Sequence, residues 1–209
     1  MKKIIAFDVD DCICQTRAFD EIACRNYMKN HNMPIDESLD FKSSYCMPKL
    51  FGMNQETEED FAIKAKQYIM KNIAMLPEYF AKDVIKKLRE KNFKVYMISS
   101  RANKFWNGDS KTHLKAWLDK NEIEYDDLYV GFEDKAETCK QVECEFMVED
   151  NPNFVSKLNN QGVKTVLIKT QYNKNYNHEL NTTVNNLLEL YEFLGKIYNF
   201  DSTDILNLY

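Results

Sequence analysis

Two rhythms of apolar and polar residues alternate along the chain. Residues 4–7, Ile-Ile-Ala-Phe, form an unbroken apolar run, the mark of a strand buried on both faces. The period then turns helical: Phe19, Ile22, Ala23 and Tyr27 share one face, and Phe61, Ala65, Tyr68, Ile69 and Ile73 share another. The stretch between them, DESLDFKSSYCMPKLFGMNQETEED, reads as loop, with Pro48 and Gly52 as breakers. Residues 16–76 therefore predict a mostly helical insert. At Leu76-Pro77 the pattern resets, and Pro77 is expected to open a helix carrying Phe80, Val84, Ile85 and Leu88 that stops near KNFK.

From there strands and helices alternate. VYMIS (95–99), DLYVGF (127–132), FMV (146–148) and VKTVLIK (163–169) read as strands. Helices are expected over KTHLKAWLDKN, with Leu114, Trp117 and Leu118 on one face, over AETCKQV, over NFVSKLNNQG up to Gly162, and over the closing VNNLLELYEFLGKIY. Such alternation predicts an α/β protein: a parallel sheet with helices on both faces, joined by right-handed crossovers. The core takes residues 1–15 and 77–209, and the helical insert of 16–76 follows the first strand.

In open sheets of this kind ligands sit beyond the carboxyl ends of the strands. The first strand ends in Asp8, Asp10 and Asp11; the second in Ser99, Ser100 and Arg101; Lys135 follows the third; Glu149 and Asp150 end the fourth. Carboxylates gathered on one edge repel each other and are costly to bury unless a cation joins them. Oxygen ligands with retained waters favour magnesium over zinc. Such an ion would also neutralise a phosphate, with Lys135 and Arg101 supplying further positive charge. Asp8, one residue past the strand, can attack phosphorus and become an aspartyl phosphate. Asp10 points the same way and can protonate the leaving oxygen, then activate water.

Composition narrows the classes. At 209 residues the chain suits one core with an insert, and 44% hydrophobic content supplies that core. A net charge of −5 argues against a nucleic-acid polymer or an acidic membrane as partner. No apolar run reaches the length of a membrane span, and MKKIIAF is too short for a signal peptide. Six cysteines without a zinc-type spacing read as free thiols of a reducing cytoplasm. None of the five glycines builds a dinucleotide or P-loop motif.

With these residues in order, the sequence resembles the haloacid dehalogenase superfamily of aspartate-nucleophile phosphatases. FDVDDC matches its first motif, ISSR its second, the lysine of DKAETC its third and VEDNP its acidic fourth. The resemblance implies a Rossmann-like core with a small helical cap over 16–76. It implies Mg2+ held by Asp8, the Asp10 carbonyl, Asp150 and Glu149, the last direct or through water. It makes Asp8 the nucleophile and Asp10 the acid/base, with Ser99 and Ser100 on the phosphoryl oxygens. Lys135 would neutralise Asp8 and phosphate, and Arg101 would be a second phosphate or sugar contact. DVDD, ISSR, VEDNP and the later TQYNK look like the 5′(3′)-deoxyribonucleotidase branch and its bacterial relatives, which implies nucleoside monophosphates as substrates. Cys12, where the family usually has Thr or Val, and QYN for the more usual PYN are departures. A sugar phosphate or another small metabolite is the alternative substrate. A receiver-type phosphoacceptor shares the acidic pair, hydroxyl and lysine but lacks a helical insert directly after the acidic strand.

Other residues read as structure. Phe19, Tyr45, Phe51, Tyr68 and Tyr79 are core by default, with one or two available to stack on a base. The YCMPKLF stretch is the candidate specificity loop. Trp106 and Trp117 read as packing, and His31, His113 and His178 stand beside no motif.

Overall fold

A computed structural model describes residues 3–72, 75–105, 108–131, 134–176 and 181–208, apart from the side chains at 42, 47, 65–72, 105, 181 and 208. Ile73, Trp106 and His178, and the side chains of Ala65, Tyr68 and Ile69, lie outside the described residues. Strand β1 (Lys3–Phe7) leads into helices α1 (Thr16–Asn30), α2 (Met47–Leu50) and α3 (Gln55–Asn72). Then come α4 (Ala81–Glu90), β2 (Phe93–Ser99), α5 (Ser110–Lys120), β3 (Asp127–Val130), α6 (Lys135–Gln141) and β4 (Phe146–Glu149). The chain closes with α7 (Pro152–Asn160), β5 (Thr165–Ile168), β6 (Asn181–Val184) and α8 (Leu187–Tyr198).

Among the described residues six strands form one sheet in the order β3-β2-β1-β4-β5-β6, and every adjacent pair is parallel. Strand residues alternate between two cores, as a period of two requires. Ile5 and Phe7 join Val95, Met97 and Val148 beneath the buried faces of α4, α5 and α8. Ala6 joins Ile98 and Met147 on the other face, under Ala136, Cys139 and Leu158 of α6 and α7. Strand β6 was not readable in the pattern. NTTV offers one apolar residue, and its β-branched threonines suit the sheet edge, where burial on both faces is not required.

The helical segment carries its own apolar cluster of Ala23, Cys24, Tyr27, Met28, Met53 and Phe61. Its return to the core corrects one expectation: Pro77 does not open α4. Residues 76–78 lie extended against 13–15, where Gln15 donates its N–H to the Leu76 carbonyl (2.9 Å) and Glu78 to that of Ile13 (2.8 Å). Pro77 bridges Cys14, and the helix begins only after Phe80, whose φ of 66° turns the chain. Trp117 secures this return by donating its indole N–H to the Met75 carbonyl at 2.8 Å.

At the opposite sheet edge Asp126 accepts from the Val95 N–H (3.0 Å), Lys94 Nζ (2.9 Å) and Arg89 Nη1 (2.9 Å). Burial alone would raise this carboxyl, but the bonds from Lys94 and Val95 outweigh it and hold it below the usual carboxylate range. Asp126→Ala should therefore cost about 1–3 kcal/mol of stability at neutral pH, read by denaturant unfolding. A depressed pKa stabilises above the unfolded value, so the deficit should shrink as pH falls through the folded pKa.

Candidate active site

The chain runs outward from β1 through β2 to β3 on one side, and through β4 and β5 to β6 on the other. The crevice at such a switch point opens beyond the carboxyl ends of β1 and β4. Asp8 stands there, 6% exposed, its N–H continuing the ladder to the Val148 carbonyl at 2.9 Å. The next residues fold back sharply. The Val9 carbonyl accepts from the N–H groups of Ile13 and Cys14, both at 3.0 Å, while Asp11 adopts φ 58°. This turn carries Asp10 toward the end of β2.

Lys135 is the first residue of α6. Asp134 caps that helix by accepting from the Ala136 and Glu137 N–H groups, so the lysine side chain is free to enter the site. A cation at a helix N-terminus opposes the macrodipole; here it is matched by carboxylates. Lys135 Nζ lies 2.7 Å from Asp8 Oδ1 and 2.6 Å from Glu149 Oε2, with only 1% of its side chain exposed. Burial alone would lower its pKa, but Asp8 and Glu149 outweigh that and keep it charged.

VEDNP does two jobs. Asn151 caps α7 by accepting from the Asn153 N–H, with Pro152 in the first turn. The two acids before it end β4. Glu149 is fully buried, bonded to Lys135 and to the Asn151 N–H (3.1 Å). Asp150 accepts the Tyr172 hydroxyl on Oδ2, and its carbonyl accepts Asn173 Nδ2 at 2.7 Å. Asn173 also donates to the Ile168 carbonyl (2.9 Å) and accepts from the Thr170 N–H (2.8 Å). The segment after β5 thus braces the end of β4.

Ser99 is buried and accepts the Arg101 N–H at 3.4 Å, whereas Ser100 is exposed on the cavity wall. Arg101 makes a fork on Asp10, from Nε to Oδ2 (2.9 Å) and from Nη2 to Oδ1 (2.7 Å). The Thr16 hydroxyl donates to the same Oδ1 at 2.6 Å. Arg17 pairs with Asp11 at 3.1 Å and lies 4.2 Å over the Tyr172 ring.

These groups surround a cavity of about 310 Å³, at the small end for ligand sites. Asp8, Asp10, Ser100, Arg101, Glu149 and Asp150 line its core side, and Tyr45, Pro48, Glu58 and Phe61 its helical side. Tyr45, Cys46 and Pro48 of the expected specificity loop therefore border it. Phe19 and Phe51 pack into apolar clusters instead, and Tyr79 is exposed.

The electrostatics fit a divalent cation. Oxygens of Asp8 and Asp150 and the Cys12 sulfur lie within 4.8 Å of one another. Burial pushes the Asp8 carboxyl up to about 7, which Lys135 only partly offsets. Burial, then Glu149 and Asp8, raise Asp150 well above the carboxylate range. Even with Lys135 beside Asp8, two buried acids raised in this way are short of positive charge, and hard oxygen donors suit magnesium. Burial and the Asp150 charge keep the Cys12 thiol protonated, a neutral neighbour 3.8 Å from Asp150 Oδ1. Of the expected ligands, Glu149 turns its side-chain oxygens to Lys135 and Asn151; Asp10, expected on the metal through its backbone carbonyl, turns its carboxylate to Arg101 and Thr16. Thr16 and the bracing role of Tyr172 and Asn173 were not foreseen. Only TQYNK, set apart by its resemblance, pointed toward the latter.

No protein-family model matches the chain. A nucleotidase of Clostridium acetobutylicum is 26% identical over 171 residues, covering 81% of this chain and 82% of that protein. A haloacid dehalogenase-like hydrolase of Streptococcus pneumoniae superposes with a TM-score of 0.71 at 12% identity, over 92% of this chain and 98% of that one. CbbY of Rhodobacter sphaeroides, solved in complex with phosphate, gives a TM-score of 0.65 at 12% identity, over 91% and 96%. The chain thus shares sequence along most of its length with a nucleotidase, and its fold with haloacid dehalogenase-like hydrolases.

Proposed function

We propose that this phosphomonoester hydrolase is a member of the haloacid dehalogenase superfamily that acts on nucleoside monophosphates through an aspartyl phosphate on Asp8, with magnesium as cofactor. The observation that carries this reading is the Asp8 carboxylate, fixed by the sheet, bonded to Lys135 and open to the cavity. An Asp8 oxygen forms a bond to phosphorus while the bond from phosphorus to the leaving oxygen breaks, and Asp10 gives that oxygen its proton. Water then attacks phosphorus, Asp10 takes the water proton, and the break of the bond from phosphorus to the Asp8 oxygen of the acyl phosphate frees phosphate and restores the carboxylate. Lys135 balances the phosphoryl charge, and Ser99 and Ser100 donate hydrogen bonds to the phosphoryl oxygens. Magnesium, held by Asp8, Asp150 and their neighbours, would supply the charge neutralisation that lets a carboxylate approach a phosphate dianion.

The segment of residues 16–76 serves as a cap that admits small molecules, since its residues form the far wall where an in-line leaving group must lie. Tyr45 and Phe61 on that wall suit a flat base. The nucleotidase name of the C. acetobutylicum relative supports the same choice. A magnesium-supplemented screen of phosphate release tests it: nucleoside monophosphates should outperform sugar phosphates, and the reverse order would assign a sugar phosphate instead.

Two further outcomes follow. Chelation should silence the enzyme, and added Mg2+ should restore it, whereas restoration by Zn2+ alone would contradict the ligand set. Tyr172→Phe removes the hydroxyl that orients Asp150 and should weaken cation binding by about 10–100-fold, read by titration with Mn2+.

A further inference from the structure

Asp10 is held differently from Asp8. The backbone of Asp8 is part of the sheet ladder, whereas Asp10 sits in the turn beyond it, beside the left-handed Asp11. What fixes the Asp10 carboxylate is its side-chain partners. Arg101, its side chain only 3% exposed, donates to both oxygens at 2.9 and 2.7 Å. A planar guanidinium paired with both oxygens sets the plane of a carboxylate in a way a point charge does not. Thr16 adds a third bond at 2.6 Å from the first turn of α1. The carboxylate is thus clamped between the end of β2 in the core and the start of the helical segment.

Such a clamp has a specific use. Asp10 must present one oxygen to the leaving group as the phosphorus–oxygen bond breaks, and the same face to water in the second step. Misplacing an acid/base by about 1 Å can cost about 100-fold in rate. We infer that Arg101, assisted by Thr16, is a positioning residue for Asp10, and that its main work is to aim this carboxylate at the leaving oxygen rather than to grip phosphate. The inference rests on the hydrolase reading above. The proton passes from the Asp10 carboxyl to the leaving oxygen, the Asp8–phosphorus bond forms and the phosphorus–leaving-oxygen bond breaks; Arg101 gives up no proton.

The test compares Arg101→Met, Arg101→Lys and Thr16→Val with wild type, as full chains with Mg2+. Substrates are aryl phosphates of graded leaving-group acidity and a nucleoside monophosphate, and inorganic phosphate serves as inhibitor. In Arg101→Met, kcat/KM for the nucleotide should fall about 100-fold, while p-nitrophenyl phosphate, whose leaving oxygen needs no proton, should lose about tenfold or less. Inhibition by inorganic phosphate should stay within about threefold of wild type, because a positioning residue acts on the transition state rather than on ground-state binding. Arg101→Lys should recover part of the leaving-group selectivity, and Thr16→Val should move it in the same direction by less.

An equal loss across all leaving groups, with phosphate inhibition weakened about tenfold, would make Arg101 a phosphate clamp and overturn the inference. An equal loss with a lowered melting temperature and unchanged phosphate inhibition would make it a structural ion pair, and overturn it too. Should Arg101→Met fail to fold, the same leaving-group comparison in Thr16→Val decides. Wild type inactive on every phosphate ester would instead sink the hydrolase reading itself, before any variant is compared.

Discussion

Asp8→Asn should lower phosphate release by about 10⁴-fold or more, because the amide cannot supply the oxygen nucleophile that the two-step route needs. The fold should survive. Asn keeps the shape of the residue and the N–H that bonds the Val148 carbonyl, and Glu149 remains as a partner for Lys135. Burial raises the Asp8 carboxyl to about 7, so its ionisation works against the cation-free fold as pH climbs from about 4 toward 7. Removing that charge should leave the chelated variant at least as heat-stable as chelated wild type near pH 7. A loss of activity accompanied by a collapse of the melting temperature would point to a structural role for Asp8. Near-normal turnover would remove it from the chemistry.

Lys135→Met should have the largest effect on stability. The lysine is buried to 1% exposure and sits between Asp8 Oδ1 and Glu149 Oε2. Met fills similar space but leaves two buried carboxylates without their cation, a change that costs about 3–5 kcal/mol when one partner of a buried pair is removed. Activity should fall as well, since the phosphoryl group loses a counter-charge. Adding Glu149→Gln to the variant relieves one of the uncompensated charges and should recover part of the stability but not of the rate. Equal stability of Lys135→Met and wild type in chelator would show that the cluster is already balanced by groups other than this lysine.

How far such features could be read from sequence depends on how local their causes are. The apolar runs of β1, β2, β4 and β5 are buried on both faces, so hydrophobicity alone reveals them. β6 is an edge strand whose polar NTTV is held by pairing with β5, a tertiary cause with no local signature. Pro77 misled because a proline after a leucine resembles a helix start, whereas the carbonyls and N–H groups around it are taken by residues 13–15, distant in sequence. The same distinction governs the site. Asp8, Lys135 and Asp150 are legible because parallel strands deliver their ends to one edge. The Arg101–Asp10 fork spans 91 positions and the Tyr172–Asp150 bond 22, and nothing in either local pattern announces a partner. Glu149 shows the limit: its place at the strand end was evident, but that both its oxygens turn to Lys135 and Asn151 depends on the start of α6.

Acid quenching during turnover, borohydride reduction and peptide mass spectrometry test the covalent route most directly. Reduction converts an aspartyl phosphate to homoserine, so the residue that carried phosphorus is marked. The mechanism predicts homoserine at position 8 in wild type, in larger amount in Asp10→Asn, where water is no longer activated, and absent from Asp8→Asn. Homoserine at another position, or steady turnover with none at position 8, would contradict it.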